Sequence, residues 1–264
     1  MCAMARKQTL PPPGAPSPCS ARFNVVSSIF VGTAGWSVPR EIADEFPAEG
    51  SGLERYASCF PVAEINSSFH RPHRPSTWER WYHSVPASFR FSVKLPKVVT
   101  HERRLVACSD ALDQFARQVE IRREKLAVLL IQLPPKLAFD ADVAASFLDE
   151  VRRRSAAQLV CEPRHPSWFT RQANVILEER GVARVAADPA ICAEAAVPGG
   201  ATQVSYWRLH GSPVIYRSSY ADRIEQIAET LRVEAAAGGA VWCIFDNTAS
   251  SAGGVDASTL LAAL

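Results

Sequence analysis

Short apolar runs alternate along the chain with stretches in which apolar residues return every three or four positions. The runs predict strands over residues 29–33, 62–66, 90–94, 128–132, 159–162, 183–188, 206–210 and 241–246, several rich in Val, Ile and aromatic residues. Helical patterns lie between them. Leu112, Phe115 and Val119 mark a helix over 110–120, with Ser109 or Asp110 placed to cap it. Val143, Phe147, Leu148 and Val151 mark a second, and Val175 and Ile176 lead to a natural stop at Gly181. Ile224, Ile227, Ala228 and Leu231 mark another that ends near Gly238 and Gly239. Residues 76–84, with Trp78 and Trp81 three apart, predict a helix too, and Leu260, Leu261 and Leu264 a short final one. A strand and a helix repeated eight times predict a parallel sheet covered by helices. Eight units favour closure into a TIM-barrel-like (β/α) barrel, an α/β fold of one domain.

Side chains alternate faces along a strand, and this sorts the polar residues. Glu64 and Asn66 oppose Ala63 and Ile65; Ser92 and Lys94 oppose Phe89, Phe91 and Val93; Arg208 and His210 oppose Trp207 and Leu209. The apolar sets should meet the helices and the polar sets should point into the barrel. Gln132, Glu162, Asp188 and Asp246 also end their strands. In a barrel these carboxyl ends converge on the face where the active sites of such folds are built. Burying so many ionisable groups is costly unless they pair or bind something.

Composition changes the setting more than the fold. Apolar residues make up 47% and charged residues 21% of the 264, as in ordinary globular proteins. A formal net charge of +2 offers no strong field to nucleic acid or to a membrane surface. The seven cysteines (2, 19, 59, 108, 161, 192 and 243) are scattered, odd in number and without a C-x-x-C pair. That argues against a disulfide framework and a cysteine zinc site. Cys161 and Cys243 lie in apolar runs and are expected to be buried, inert thiols. Pro11, Pro12, Pro13, Pro16 and Pro18 interrupt any helix, so residues 1–24 predict a disordered Pro-rich tail before a barrel domain over 25–264. No apolar stretch follows Arg6 and Lys7 as a secretory signal requires, and none reaches the roughly 20 residues of a membrane span. The expected location is the cytoplasm.

A series of short motifs runs in order from about Phe30 to the C-terminus. It comprises Val31-Gly32-Thr33-Ala34-Gly35-Trp36-Ser37, Glu64-Ile65-Asn66-Ser67-Ser68-Phe69, and Lys94-Leu95-Pro96 followed by Thr100-His101-Glu102-Arg103-Arg104-Leu105. Gln132-Leu133-Pro134-Pro135 and Glu162-Pro163-Arg164-His165-Pro166-Ser167-Trp168-Phe169 come next. Ala187-Asp188, Arg208-Leu209-His210-Gly211 and Phe245-Asp246-Asn247-Thr248 complete it. The series resembles that of the YecE-like family (domain of unknown function 72). Ala34, Ser68 and His70 stand where that family usually has Ser, Thr and Tyr. The resemblance implies a TIM-barrel-like fold. It implies no reaction, and a fold by itself supplies none.

The residue types admit several chemistries. Glu64, Glu162, Asp188 and Asp246, with His101, His165 and His210, are donors a divalent metal would accept, as in barrel enzymes that cleave phosphodiesters or isomerise sugars. No H-x-H or H-E-x-x-H spacing marks such a site, so the cofactor is left open. Lys94, Arg164 and Arg208 suit an anion. In that scheme Glu162 or Glu64 is the general base, His210 a proton donor or metal ligand, and Lys94 and Arg208 stabilise charge. Asn66, Gln132, Arg164, Asp188, Arg208, Asp246, Asn247, Trp36 and His101 are the expected ligand contacts. Against this stands a self-contained ion-pair network, Glu162 with Arg208 and Asp246 with Lys94.

Other features have plainer readings. Gly32 and Gly35 suit a phosphate cradle, but a tight turn out of a strand accounts for them. Ser167 is expected to cap a helix with His165 buttressing the turn, and Arg152-Arg153-Arg154 to complement a helix dipole. The basic cluster His101–Arg104 reads as a solvated loop. With Trp36, Phe69 and Trp168 it could instead meet a nucleic-acid backbone and its bases. Residues 212–220 could form a lid carrying Tyr216 and Tyr220. No G-x-S-x-G elbow, P-loop or Rossmann fingerprint occurs, which lowers serine hydrolases, NTPases and dinucleotide-dependent oxidoreductases. The leading expectation is an enzyme of hydrolase or isomerase type acting on a small anionic molecule, phosphorylated or nucleotide-like, at the C-terminal ends of the strands. A nucleic-acid-binding protein using the same face, and a non-catalytic barrel with a structural polar centre, are the alternatives.

Overall fold

The computed structural model describes residues 28–119 and 124–264; the expected N-terminal tail and the end of the 110–120 helix lie outside them. Strands β1 (Ile29–Ala34), β2 (Val62–Ile65), β3 (Arg90–Lys94), β4 (Leu126–Gln132) and β5 (Gln158–Glu162) pair in parallel in chain order. The sixth stave is not the continuous strand expected over 183–188. It breaks at Val185 into β6 (Val182–Arg184) and β7 (Ala186–Asp188). β6 pairs with β5, Leu159 opposite Val182. A two-residue strand, β8 (Gly199–Gly200), adds antiparallel to β6. β7 pairs with β9 (Val204–Leu209), Ala186 opposite Trp207. β10 (Ala240–Phe245) joins β9 to β1. The break lets one stave pass the ladder from one neighbour to the next, and the ring closes as a TIM-barrel-like fold.

The expected helices are present as α3 (Pro75–His83), α4 (Ser109–Val119), α5 (Ala141–Arg152), α6 (Arg171–Glu179), α7 (Ile224–Ala236) and α8 (Ala252–Ala263), following the short α1 (Gly52–Ala57) and α2 (Ser67–His70). Asp140 and Thr170 cap α5 and α6 by accepting from Val143 and Ala173. Gly181, at φ 61°, takes the left-handed conformation that stops α6. Short turns carry too few apolar positions to show a period, so α1, α2, the π-turn Val98–Glu102 and the 3-10 turns escape sequence reasoning.

Two apolar bodies sandwich the staves. Val31, Ile65, Phe91, Val93, Leu129, Ile131, Leu159 and Cys161 face the helices. Val62, Val128, Leu130, Val160, Ala183, Val185, Val204, Tyr206, Trp242 and Ile244 form a second cluster inside the lumen. Because the staves are parallel, polar residues that come later along each strand sit above this apolar floor. Gly32 belongs to the wall: a Cβ there would lie 2.2 Å from the Val62 carbonyl oxygen. The Tyr56 hydroxyl sits beside it in the ladder, accepting from the Thr33 N–H at 2.8 Å and donating to the Val62 carbonyl at 3.0 Å. Cys108, Cys161, Cys192 and Cys243 are free thiols, whereas Cys59 is disulfide-bonded, a departure from a chain of unpaired cysteines. Among the described residues no helix is long and apolar enough to cross a membrane.

Candidate functional site

Above the apolar floor the lumen holds a ring of polar groups. Glu64, Ser92, Lys94, Gln132, Glu162 and Arg208 come from the staves, and His210 and Asp246 directly follow β9 and β10; all are buried. Arg208, with no exposed surface, is the hub. Its Nε and Nη2 donate to Glu64 at 3.1 and 2.7 Å, Nη1 to Glu162 at 2.5 Å, and Nη2 also to Asp246 at 3.0 Å. Tyr206, one layer below, donates to Glu64 at 2.9 Å and lies 2.8 Å from the Ser92 hydroxyl. His210 bridges two carboxylates, Nδ1 lying 2.9 Å from Asp246 and Nε2 2.9 Å from Glu162. Arg164 donates to Glu162 Oε1 from Nε and Nη2 at 3.0 and 2.7 Å, and Gln132 donates to Oε2 at 3.2 Å. Arg164 Nη2 also lies 3.1 Å from His210 Nε2, a contact of two cationic groups that Glu162 bridges.

Charge in this ring is a contest between burial and pairing. Burial would lift the Glu162 carboxyl, but Arg208, His210 and Arg164 hold it well below the usual range. Burial would likewise lift Asp246, and Arg208 with the His210 hydrogen bond keeps it low. For His210 burial opposes the proton, but Glu162 and the hydrogen bonds to Asp246 and Glu162 together outweigh it, and the ring titrates above its ordinary value. Lys94 is the exception. Among the described residues its ammonium has no hydrogen bond and no ion-pair partner; it lies over the Phe69 ring, 4.1 Å from the centre. Burial and then Arg208 push its pKa down to about 8, against the pull of Glu64, Glu162 and Asp246. Of the two expected ion pairs, Glu162–Arg208 forms and Asp246–Lys94 does not, because Asp246 turns to Arg208 and His210.

At the rim, His101 stands edge-on to Phe69 at 4.9 Å, with Nδ1 2.9 Å from the Thr100 hydroxyl. Burial first, then Lys94, Lys97 and Arg164, lowers its pKa. Asn66 reaches Asp246 through Nδ2 at 3.4 Å, and its buried Oδ1 has no partner among the described residues. Tyr216, 44% exposed, packs edge-on over the His210 ring at 6.1 Å, as a lid residue would. Tyr220 does not share that position: it is wholly buried and donates to Asp188.

Three expected ligand contacts point elsewhere. Ala183 and Val185 face the lumen, so alternation turns Asp188 outward, where Arg223 and Tyr220 bind its carboxylate at 2.8 and 2.9 Å. Asn247 follows the inward Asp246 and donates to Asp256 on α8 at 2.7 Å and to the Ser218 carbonyl at 2.9 Å. Trp36 packs in the helix layer against Trp81 and Phe91. His165, not Ser167, caps its turn, accepting from the Ser167 N–H. The Trp168 indole is buried and donates to the Leu137 carbonyl. The basic loop is tied down, Arg103 by Asp110 and Arg104 by the Lys136 carbonyl. Arg152 braces neighbouring loops through the Ala157 and Gly181 carbonyls. The roles of Tyr206 and Phe69 escaped sequence reasoning. Tyr206 lay two residues before Arg208, a signal that parity offered, but the meeting of Phe69 with Lys94 joins α2 to the end of β3 and has no local signature. The carboxylates of Glu162 and Asp246 face guanidinium and imidazole groups, and among the described residues no three His, Cys, Asp or Glu side chains are grouped to hold a metal ion.

The profile of the family described as "Protein of unknown function DUF72" matches residues 30–264. The UPF0759 protein YecE of Escherichia coli K12 is 26% identical over 166 residues, 61% of this chain and 59% of that protein. The UPF0759 protein YunF of Bacillus subtilis is 27% identical over 148 residues, 54% of this chain and 52% of that protein. The match thus spans little more than half the length of these relatives. Among solved structures, a DUF72 family protein from Thermotoga maritima aligns with a TM-score of 0.72 at 20% identity, covering 88% of this chain and 97% of that one. Another, from Enterococcus faecalis, aligns with a TM-score of 0.74 at 18% identity, covering 89% and 95%. At these identities the structural likeness speaks for the fold alone.

Proposed function

The chain belongs to the DUF72 family, and we propose that its barrel is an enzyme acting on a small anionic molecule, phosphorylated or nucleotide-like, bound at the C-terminal ends of the staves. The observation that carries this is uncompensated positive charge at the mouth. Glu64, Glu162 and Asp246 are engaged by Arg208, Arg164 and His210, which leaves Lys94 without a carboxylate. Arg164 is partly exposed, and its Nη1 makes no hydrogen bond among the described residues. An anion from solution would supply the missing charge, with Arg164 and His101 at the rim to receive it.

The general-base assignment shifts within this reading. A carboxylate held as low as Glu162 is a poor proton acceptor, so Glu162 orients Arg208, Arg164 and His210 while His210 and Lys94 carry protons. A structural polar centre is the second reading. It is favoured by Arg208, each of whose three nitrogens donates within the ring, but it leaves the unpaired Lys94 without a reason. A cytoplasmic setting belongs to the proposal; the free thiols support it and the disulfide at Cys59 opposes it.

Titration calorimetry with inorganic phosphate, ribose 5-phosphate and adenosine monophosphate separates the readings. Saturable binding is expected. Arg164→Gln should weaken it about tenfold to a hundredfold, the worth of a charged hydrogen bond of roughly 1.5–3 kcal/mol. Absence of heat with all three phosphates, or unchanged affinity in the variant, would leave the structural centre standing.

A further inference from the structure

Lys94 ends β3 on the lumen side, is 9% exposed, and rests its nitrogen against an aromatic ring. The carboxylates that could have paired with it give their oxygens to Arg208, Arg164, His210, Gln132 and Tyr206. A lysine kept only for its charge gains by pairing. One kept as a nucleophile has to be free to shed its proton, and desolvation with neighbouring cations is how such lysines are activated. Both conditions meet here, in the burial of Lys94 and in Arg208 nearby.

We propose that Lys94 is a nucleophile that forms an imine with an aldehyde or ketone carbonyl of the anionic ligand; this rests on the anion reading above and gives the substrate its class. The lone pair of the neutral amine attacks the carbonyl carbon. A C–N bond forms, and the π pair moves to oxygen, which takes a proton. The proton oxygen takes is the one the nitrogen gives up; a second proton, from His210, lets the C–O bond break with oxygen leaving as water while the nitrogen lone pair forms C=N, which leaves the imine protonated. Nothing is oxidised or reduced. His210, protonated between Glu162 and Asp246, is the acid the ring offers to the departing oxygen. The ligand's anionic group would rest on Arg164. A protonated imine withdraws electrons from the adjacent carbon, so the reaction class is isomerisation or carbon–carbon cleavage beside the carbonyl.

Reductive trapping on the intact chain tests this. Glyceraldehyde 3-phosphate and unphosphorylated glyceraldehyde are each incubated with the protein and cyanoborohydride, and the adducts are located by peptide mass spectrometry. Lys94 should be modified before the exposed Lys97 and Lys136, roughly tenfold faster with the phosphorylated aldehyde. Its rate should level off near the pH of about 8 at which burial, Arg208 and the facing carboxylates Glu64, Glu162 and Asp246 set its proton loss. Labelling of Lys97 and Lys136 with Lys94 untouched overturns the inference. If Lys94 is untouched while inorganic phosphate still binds, the nucleophile falls and the anion site stands. If both aldehydes label Lys94 equally, the nucleophile stands and the anion site falls.

Discussion

His210 shows how a single residue's charge depends on its neighbours. Its imidazole is buried, which favours the neutral form, yet Glu162 and Asp246 on either side hold the proton against burial and Arg208. Because its folded pKa is raised, its contribution to stability is whole below the unfolded value of about 6.5 and is lost as pH rises through the folded value. Denaturant unfolding of the protein and of His210→Gln should therefore show a stability difference that shrinks as pH rises above about 6.5. A difference that grows with pH would mean the ring is held neutral. Lys94 has the opposite sign, since burial and Arg208 lower its pKa, so the comparison with the variant is what isolates the histidine. Parity made the inward direction of Glu64, Lys94, Arg208 and His210 legible. The pairing was legible only in part, because which carboxylate meets which cation depends on the vertical stagger between staves.

At the scale of elements, the wall of the lumen is shaped by close approach. The Val62 carbonyl lies where a Cβ of residue 32 would be, 2.2 Å away, and the Tyr56 hydroxyl completes the ladder beside it. Gly32→Ala has to push backbone against backbone, so it should lower stability by at least about 1–3 kcal/mol, the usual cost of overpacking. Thermal unfolding measures this, and an unchanged midpoint would show that β1 and β2 can move apart. Long periodic elements were legible because their apolar faces repeat. The break at Val185 was not, because it answers to a closure requirement: one stave has to pair with β5 through its first half and with β9 through its second.

At the scale of the molecule, the end of the chain is tied to the mouth of the barrel. Asp256 on α8 is buried and accepts from the Ser219 hydroxyl at 2.5 Å, the Tyr220 N–H at 3.0 Å and Asn247 at 2.7 Å. These hold the loop that places Tyr216 over His210. Asp256→Ala leaves buried donors without an acceptor and should cost about 1–3 kcal/mol. Hydrogen exchange should quicken over residues 212–220 while the staves stay protected; uniform loss of protection would mean that Asp256 supports the whole fold instead. The sequence by itself determined the staves, the helices that cover them and the inward face of Glu64, Lys94, Arg208 and His210, because alternation and helical period are local consequences of backbone geometry. Only the tertiary structure decided that Asp188, Asn247 and Trp36 leave the ring, that Arg208 is its hub, and that Lys94 meets Phe69 rather than Asp246. Those outcomes depend on stagger, on the break in the sixth stave and on loops from distant parts of the chain, and none of these is written in the spacing of residues along one strand.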